Sequence, residues 1–165
     1  MIPSSVSPAE ILEPGEAHEW EPARTLLKEY LNSLPIDAGF LNIDREVAAL
    51  PGEYGAARGG FWLARVQATW AGCCALAPLD GTNYANACEL RRLYVRPAMR
   101  QQNLGLMLTE RALDRARMHG YTHVLLDTLS DMEAARALYQ GLGFKEIPPY
   151  YFNPLPGAHY LMATL

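Results

Sequence analysis

The run Glu89-Leu90-Arg91-Arg92-Leu93-Tyr94-Val95-Arg96-Pro97-Ala98-Met99-Arg100-Gln101-Gln102-Asn103-Leu104-Gly105 changes character twice. Its first part belongs to a strand-like segment, Ala87–Val95, and its middle, Arg96–Asn103, has the proline and polar residues of a loop. From Leu104 to His119, Leu104, Leu108, Ala112, Leu113 and Ala116 recur at helical spacing, and Gly120 follows as the C-terminal cap. A strand, loop and helix in this order turn free backbone N–H groups and the positive end of a helix dipole towards an anion. Arg96 and Arg100 in the loop, and Gly105 where backbone must approach a ligand, point to a phosphate site. An ordinary connection with solvated arginines is the competing explanation. No Gly-x-x-x-x-Gly-Lys-Ser/Thr occurs, and no Gly-x-Gly-x-x-Gly follows the first strand, so neither common nucleotide loop applies.

Working outward, Ile11-Leu12-Glu13 before Pro14-Gly15 reads as a short first strand. Trp20, Ala23, Leu26, Leu27, Tyr30 and Leu31 then mark a helix over 18–34, and a second spans Ile43–Leu50 before Pro51-Gly52. Phe61–Val66 and Ala71–Leu79 form a hairpin with its turn near Gln67–Trp70. Asp80-Gly81-Thr82-Asn83 turns the chain into Ala87–Val95. Downstream, His123–Thr128 is a short apolar strand, and Ser130-x-x-Glu133 is a capping box opening a helix with Met132, Ala135, Leu138, Tyr139 and Leu142. Gly143 ends it, and Lys145–Tyr151 and His159–Leu165 are two last strands. The order is strand, helices, three strands, helix, strand, helix, two strands: an α/β chain of α+β type with a mixed sheet.

The 165 residues suit one domain over 1–165, and 50% hydrophobic with 19% charged is ordinary globular composition. A net charge of −4 argues against nucleic acid as a partner, since no excess of Lys and Arg can displace counterions. Met1-Ile2-Pro3-Ser4-Ser5 lacks the features of a signal peptide, and no apolar run is long enough to span a membrane, so a cytoplasmic location is expected. Cys73 and Cys74 are adjacent on one strand, point to opposite faces and make a poor disulfide. His18, His119, His123 and His159 have no ligand spacing, so no metal is expected.

The quoted run, with its strand ending Leu93-Tyr94-Val95-Arg96-Pro97 and its Arg100-Gln101-Gln102-Asn103-Leu104-Gly105, resembles the central motif of the GNAT superfamily of N-acetyltransferases. That motif reads Gln/Arg-x-x-Gly-x-Gly/Ala. Ala135-Arg136-Ala137-Leu138-Tyr139-Gln140-Gly141-Leu142-Gly143-Phe144 is similar to the family's coenzyme-flanking helix. The resemblance covers Phe61 to Leu165 well and the N-terminal helices loosely. It implies the GNAT fold: a mixed central sheet of about six to seven strands with about four helices. It also implies acetyl-coenzyme A as cosubstrate. Backbone of Leu93, Tyr94 and Val95 would run beside the pantetheine arm, and N–H groups across Gln101, Gln102, Asn103, Leu104, Gly105 and Leu106 would hold the pyrophosphate near Arg100. Asn103 stands where the family usually has glycine; asparagine visits the left-handed region more readily than other non-glycine residues, so the turn can survive. Met132 stands where many relatives place an asparagine that reaches the coenzyme.

The resemblance implies transfer to an amine. Only a free amine attacks a thioester, and an alkylammonium is almost wholly protonated at neutral pH, so a proton must leave and the departing thiolate must gain one. Tyr139 resembles the family's helix tyrosine near the coenzyme sulfur, and is the expected acid; a place on the apolar face of its helix is the alternative. Glu89 matches the catalytic glutamate of some members and is the expected base, directly or through water; an ion pair with Arg91 or Arg92 is the alternative. Alternation puts Glu89 on one face with Arg91 and Leu93 unless a bulge intervenes. Cys88 is read as a small buried hydrophobe. Met99 and Trp70 are core or rim residues, and His159 faces an exposed strand surface or the acceptor.

Tyr150-Tyr151-Phe152-Asn153-Pro154-Leu155-Pro156-Gly157 is a stiff aromatic loop, either a wall of the acceptor pocket or a hydrophobic hairpin at a homodimer interface. Asp37, Glu46 and Glu53 could bind a cation, with solvated surface charge as the default. The expected partner is a small-molecule or peptide amine. The contrasting reading is a non-catalytic acyl-coenzyme A sensor of the same fold.

Overall fold

The structure is a computed structural model that describes residues 9–34, 38–129 and 133–165. Asp37, Ser130 and Met132 lie outside the described residues. Seven strands form one sheet: β1 (Glu10–Leu12), β2 (Gly60–Val66), β3 (Thr69–Pro78), β4 (Ala87–Val95), β5 (His123–Leu129), β6 (Lys145–Ile147) and β7 (Ala158–Thr164). They lie in the order β1-β2-β3-β4-β5-β7-β6, and every pairing is antiparallel except β4 with β5. The helices are α1 (Glu21–Ser33), α2 (Ile43–Ala49), α3 (Leu104–Met118) and α4 (Glu133–Gly141). The mixed sheet, and the order of elements along the chain, match expectation.

Two cores flank the sheet. Cys74, Leu76, Cys88, Leu90, Val124 and Leu126 point to the face covered by α3, where Leu104, Leu108, Ala112 and Ala116 bury their stripe. Cys73, Ala75, Ala77 and Tyr94 point to the other face, against Ala23, Leu26 and Leu27 of α1 and Ile43 and Val47 of α2. Cys73 and Cys74 thus lie on opposite faces, and all three cysteines are free and buried. The β2–β3 turn is tight, with Gln67 and Ala68 both left-handed.

Two details differ from the sequence reading. The strand expected over Lys145–Tyr151 stops at Ile147, because Pro148 and Pro149 have no N–H to donate to a ladder. A bulge also intervenes in β4: Cys73 pairs with Tyr94 and Ala75 with Arg91, so Cys74 alone faces both Arg92 and Leu93. Arg92 takes up the extra residue at φ 58°. Leu93 therefore packs on the α3 face with Leu90, not beside Glu89 and Arg91. Gly72 lets β3 close over this irregularity: a Cβ there would lie 2.5 Å from the Tyr94 carbonyl oxygen.

Candidate active site

β4 and β5 pair only from Ala87 to Glu89 and from His123 to Leu125, and then part. Beyond Glu89, no strand pairs with that edge of β4 among the described residues. The Arg96 N–H donates to the Ala71 carbonyl of β3 at 2.8 Å, so by alternation the backbone groups of Val95 and Leu93 face the opening. This opening is part of a cavity of about 690 Å³ that passes between the two strands. Leu93, Ala135 and Tyr139 line one side of it, and Glu89, Arg91, Asp127, Tyr150 and Tyr151 line the other.

Tyr139 is 6% exposed, and burial pushes its phenol well above the ordinary value near 10, so it stays protonated. The Gly143-Phe144 pair fixes it. Gly143 turns left-handed at φ 90°, the Phe144 N–H returns to the Tyr139 carbonyl at 3.0 Å, and the two rings stand 5.5 Å apart.

Glu89 is 8% exposed. One carboxylate oxygen accepts from Arg91, and the other accepts from the Tyr150 hydroxyl at 2.6 Å. Arg91 also pairs with Glu53, so the ion pair given as the alternative to a base, Glu89 with Arg91, exists within the cavity wall. Arg92 makes a two-pronged pair with Glu46 of α2, at 2.9 and 3.0 Å. Burial and the neighbouring Glu89 carboxylate hold the Tyr150 phenol neutral.

At the end of β4, Arg100 folds back, its Nε donating to the Val95 carbonyl at 3.0 Å. Gln101 and Asn103 are exposed and left-handed, at φ 67° and 60°. Asparagine thus supplies the conformation that glycine would supply, as expected. The Asn103 side chain makes no cap to α3, so the first-turn N–H groups of Leu104, Gly105 and Leu106 have no side-chain acceptor from that residue. Leu104 is buried, while a Cβ on Gly105 would meet only Leu138, at 3.5 Å. Gln102 lies beside the Met99 sulfur at 3.9 Å. Tyr94 points away from the opening, its hydroxyl reaching Glu29 at 3.4 Å.

The acetyltransferase (GNAT) family profile matches residues 20–144. An uncharacterized N-acetyltransferase of Schizosaccharomyces pombe is 35% identical over 162 residues, covering 98% of this chain and 96% of its own. This chain belongs to the GNAT acetyltransferase family. It is an acyl-coenzyme A-dependent acetyltransferase, and the non-catalytic reading is not favoured. A GNAT-family acetyltransferase of Staphylococcus aureus has the same fold, with a TM-score of 0.76 at 19% identity over 95% of this chain and 99% of that one. So has the PaiA N-acetyltransferase of Thermoplasma acidophilum, solved with coenzyme A, with a TM-score of 0.71 at 15% identity over 96% and 99%.

Several features of the acetyltransferase's cavity escaped the sequence reading. Asp127 is a charged side chain inside an apolar strand, β5, and no local motif marks it. It accepts from the Tyr151 hydroxyl and from Asn153 Nδ2, the latter at 2.7 Å. Glu46 and Glu53, with surface charge as the default reading, hold Arg92 within the bulge and Arg91 beside it. His159 is turned to Glu146 on β6. Cys88 is buried, and its thiol is pushed up to about 12, as suits a small hydrophobe. Among the described residues no group of His, Cys, Asp or Glu is arranged to hold a metal, and no helix is long and apolar enough to cross a membrane.

Proposed function

We propose that the acetyltransferase moves an acetyl group from acetyl-coenzyme A directly to a primary amine of a small molecule or peptide, with both substrates bound at once. One observation carries this reading: a neutral buried phenol, Tyr139, and a carboxylate, Glu89, line one cavity where β4 and β5 part. Backbone of Leu93 and Val95, on either side of Tyr94, offers the pantetheine arm an unpaired strand edge. Arg100 occupies the Val95 carbonyl, which leaves the Val95 N–H for that arm and the Nη nitrogens of Arg100 for phosphate. The N–H groups of residues 101–106 would hold the pyrophosphate at the start of α3.

The acceptor enters as an ammonium. Glu89 takes its proton through a water, because direct access is shared between Arg91 and Tyr150. The freed lone pair forms the new C–N bond, while a β4 N–H near Val95 stabilises charge on the thioester oxygen. The C–S bond then breaks, Tyr139 gives its proton to the sulfur, and the second amine proton leaves to restore the phenol.

Release of coenzyme A thiol from acetyl-coenzyme A, measured across a panel of amines, tests this. Replacing Tyr139→Phe should lower kcat by roughly 10²-fold or more, while coenzyme affinity by calorimetry stays nearly constant. Coenzyme binding without turnover on any amine, and without an effect of that substitution, would establish the sensor instead.

A further inference from the structure

The charges around the cavity are paired, with one exception. Arg91 is held between Glu89 and Glu53, Arg92 is held by Glu46, and Asp80 is held by Arg58 through two contacts of 2.9 Å. Asp127 differs. Its partners are the Tyr151 hydroxyl and the Asn153 amide, both neutral and both on Oδ2. Among the described residues no Lys, Arg or His pairs with it.

Its place is equally specific. Leu125 is the register partner of Glu89, so Asp127, two residues further on, shares the face of Glu89. It lies past the point where the strands part, about 7 Å along β5 from that register position at the usual rise of ~3.3 Å per residue. Tyr151 and Asn153 orient its carboxylate from the loop at 148–157, and Tyr30, Tyr150 and Leu155 add apolar and aromatic wall.

We infer that Asp127 is the residue that receives the acceptor's ammonium, and that the acceptor is a primary amine with no carboxylate beside its nitrogen, carried on an uncharged, largely apolar body. This rests on the transfer reading above and specifies its substrate. The wall holds one carboxylate without a cation to match a single ammonium. It holds no arginine without a carboxylate to match an acid group on the acceptor. A free α-amino acid would leave its carboxylate facing Glu89 and Asp127, with both arginines already occupied, and an unpaired buried charge is strongly disfavoured. Asp127 is thus a specificity-determining residue, while Glu89 moves the proton.

Calorimetry on the coenzyme A-loaded enzyme tests this without requiring turnover. The probes are tyramine against L-tyrosine, tryptamine against L-tryptophan, and isopentylamine against L-leucine, each pair differing by a carboxylate alone. At least one amine should bind about tenfold or more tightly than its amino acid. Replacing Asp127→Asn, whose amide oxygen still accepts from Tyr151 and whose fold is checked by melting temperature, should weaken that amine about tenfold. Coenzyme affinity should not change, and 4-ethylphenol, which lacks the nitrogen, should be indifferent to the substitution. The inference is overturned if no amine outbinds its amino acid, or if Asp127→Asn leaves amine affinity intact. Loss of coenzyme binding by the unaltered enzyme would instead overturn the transfer reading, so the two failures are separable.

Discussion

The two halves of the cavity are built by different means. On the proposed coenzyme side, the strand end, the loop at 96–103 and the start of α3 are continuous in sequence, and their contacts would be mostly backbone. The conformation is set by a few left-handed residues, Gln101 and Asn103 among them. On the proposed acceptor side, Glu46, Glu53, Glu89, Arg91, Arg92, Asp127, Tyr150 and Tyr151 come from several elements and join through charged and hydroxyl groups across 24 to 61 residues of chain. A site made of backbone tolerates any side chain that keeps its φ and ψ. A site made of paired side chains does not, because removing one partner leaves the other buried and uncompensated. The first kind suits a coenzyme whose shape never changes; the second can be retuned for a new acceptor by a few substitutions.

Arg92 belongs to both halves, and changing it should have the largest effect. Its backbone makes the β4 bulge at φ 58°, and its guanidinium is buried against Glu46. Replacing Arg92→Val puts a β-branched residue in the left-handed region and strands Glu46, at a combined cost of about 3 kcal/mol or more. The melting temperature should fall by about 10 °C, and kcat should fall more than about 100-fold as Leu93 and Val95 lose their alignment. Replacing Arg92→Gly also strands Glu46 but accepts a positive φ freely. It should therefore cost less stability and keep clearly more kcat, measured well below both melting temperatures. Equal kcat for the two variants would show that the side chain, and not the bulge, serves the reaction.

The same contrast explains what could be read beforehand. The strand, loop and helix around Arg100, the left-handed Asn103 and the Tyr139 helix ending at Gly143-Phe144 were all legible, because each rests on local spacing or on one residue's backbone preference. The bulge was legible only as a condition. It depends on how β3 and β4 register over Gly72, and strand periodicity alone does not say where an extra residue will sit. Asp127 carries no local signal, because its partners, Tyr151 and Asn153, lie a helix and a strand further on. Glu46 and Glu53 read as surface charge for the same reason: a carboxylate's partner is set by tertiary packing, and no local pattern encodes it.

On the coenzyme side the expected effect is smaller and has the opposite sign. Asn103 already holds φ 60°, so Asn103→Gly removes residual strain and a side chain from the rim of the loop without altering the path of the backbone. Coenzyme affinity by calorimetry should be unchanged or up to about threefold tighter. Asn103→Val should weaken it about tenfold, since a β-branched residue pays to enter that region. A large loss in the glycine variant would mean that the Asn103 side chain itself touches the coenzyme, and the backbone account of this half would fail.

The smallest effect tests whether burial, and not pairing as such, makes the acceptor side fragile. Arg96 at the end of β4 pairs with Glu29 of α1 in the same two-pronged manner as Arg92 with Glu46, at 2.7 and 2.9 Å, but both side chains are about one-third exposed. Arg96 holds the Glu29 carboxyl below its ordinary value near 4.5. Folding therefore favours the ionised form, and the pair's contribution is present above the unfolded value and lost as pH falls through the folded one. Water screens an exposed pair, so Glu29→Gln should cost roughly 0.5 kcal/mol at pH 7, a fall of about 2 °C in melting temperature, with kcat unchanged. The gap from the parent protein should narrow steadily below pH 4.5 as Glu29 takes up its proton. A loss as large as that of Arg92→Gly would show that two-pronged geometry alone sets the energy, and would remove burial as the reason the two halves of the cavity differ.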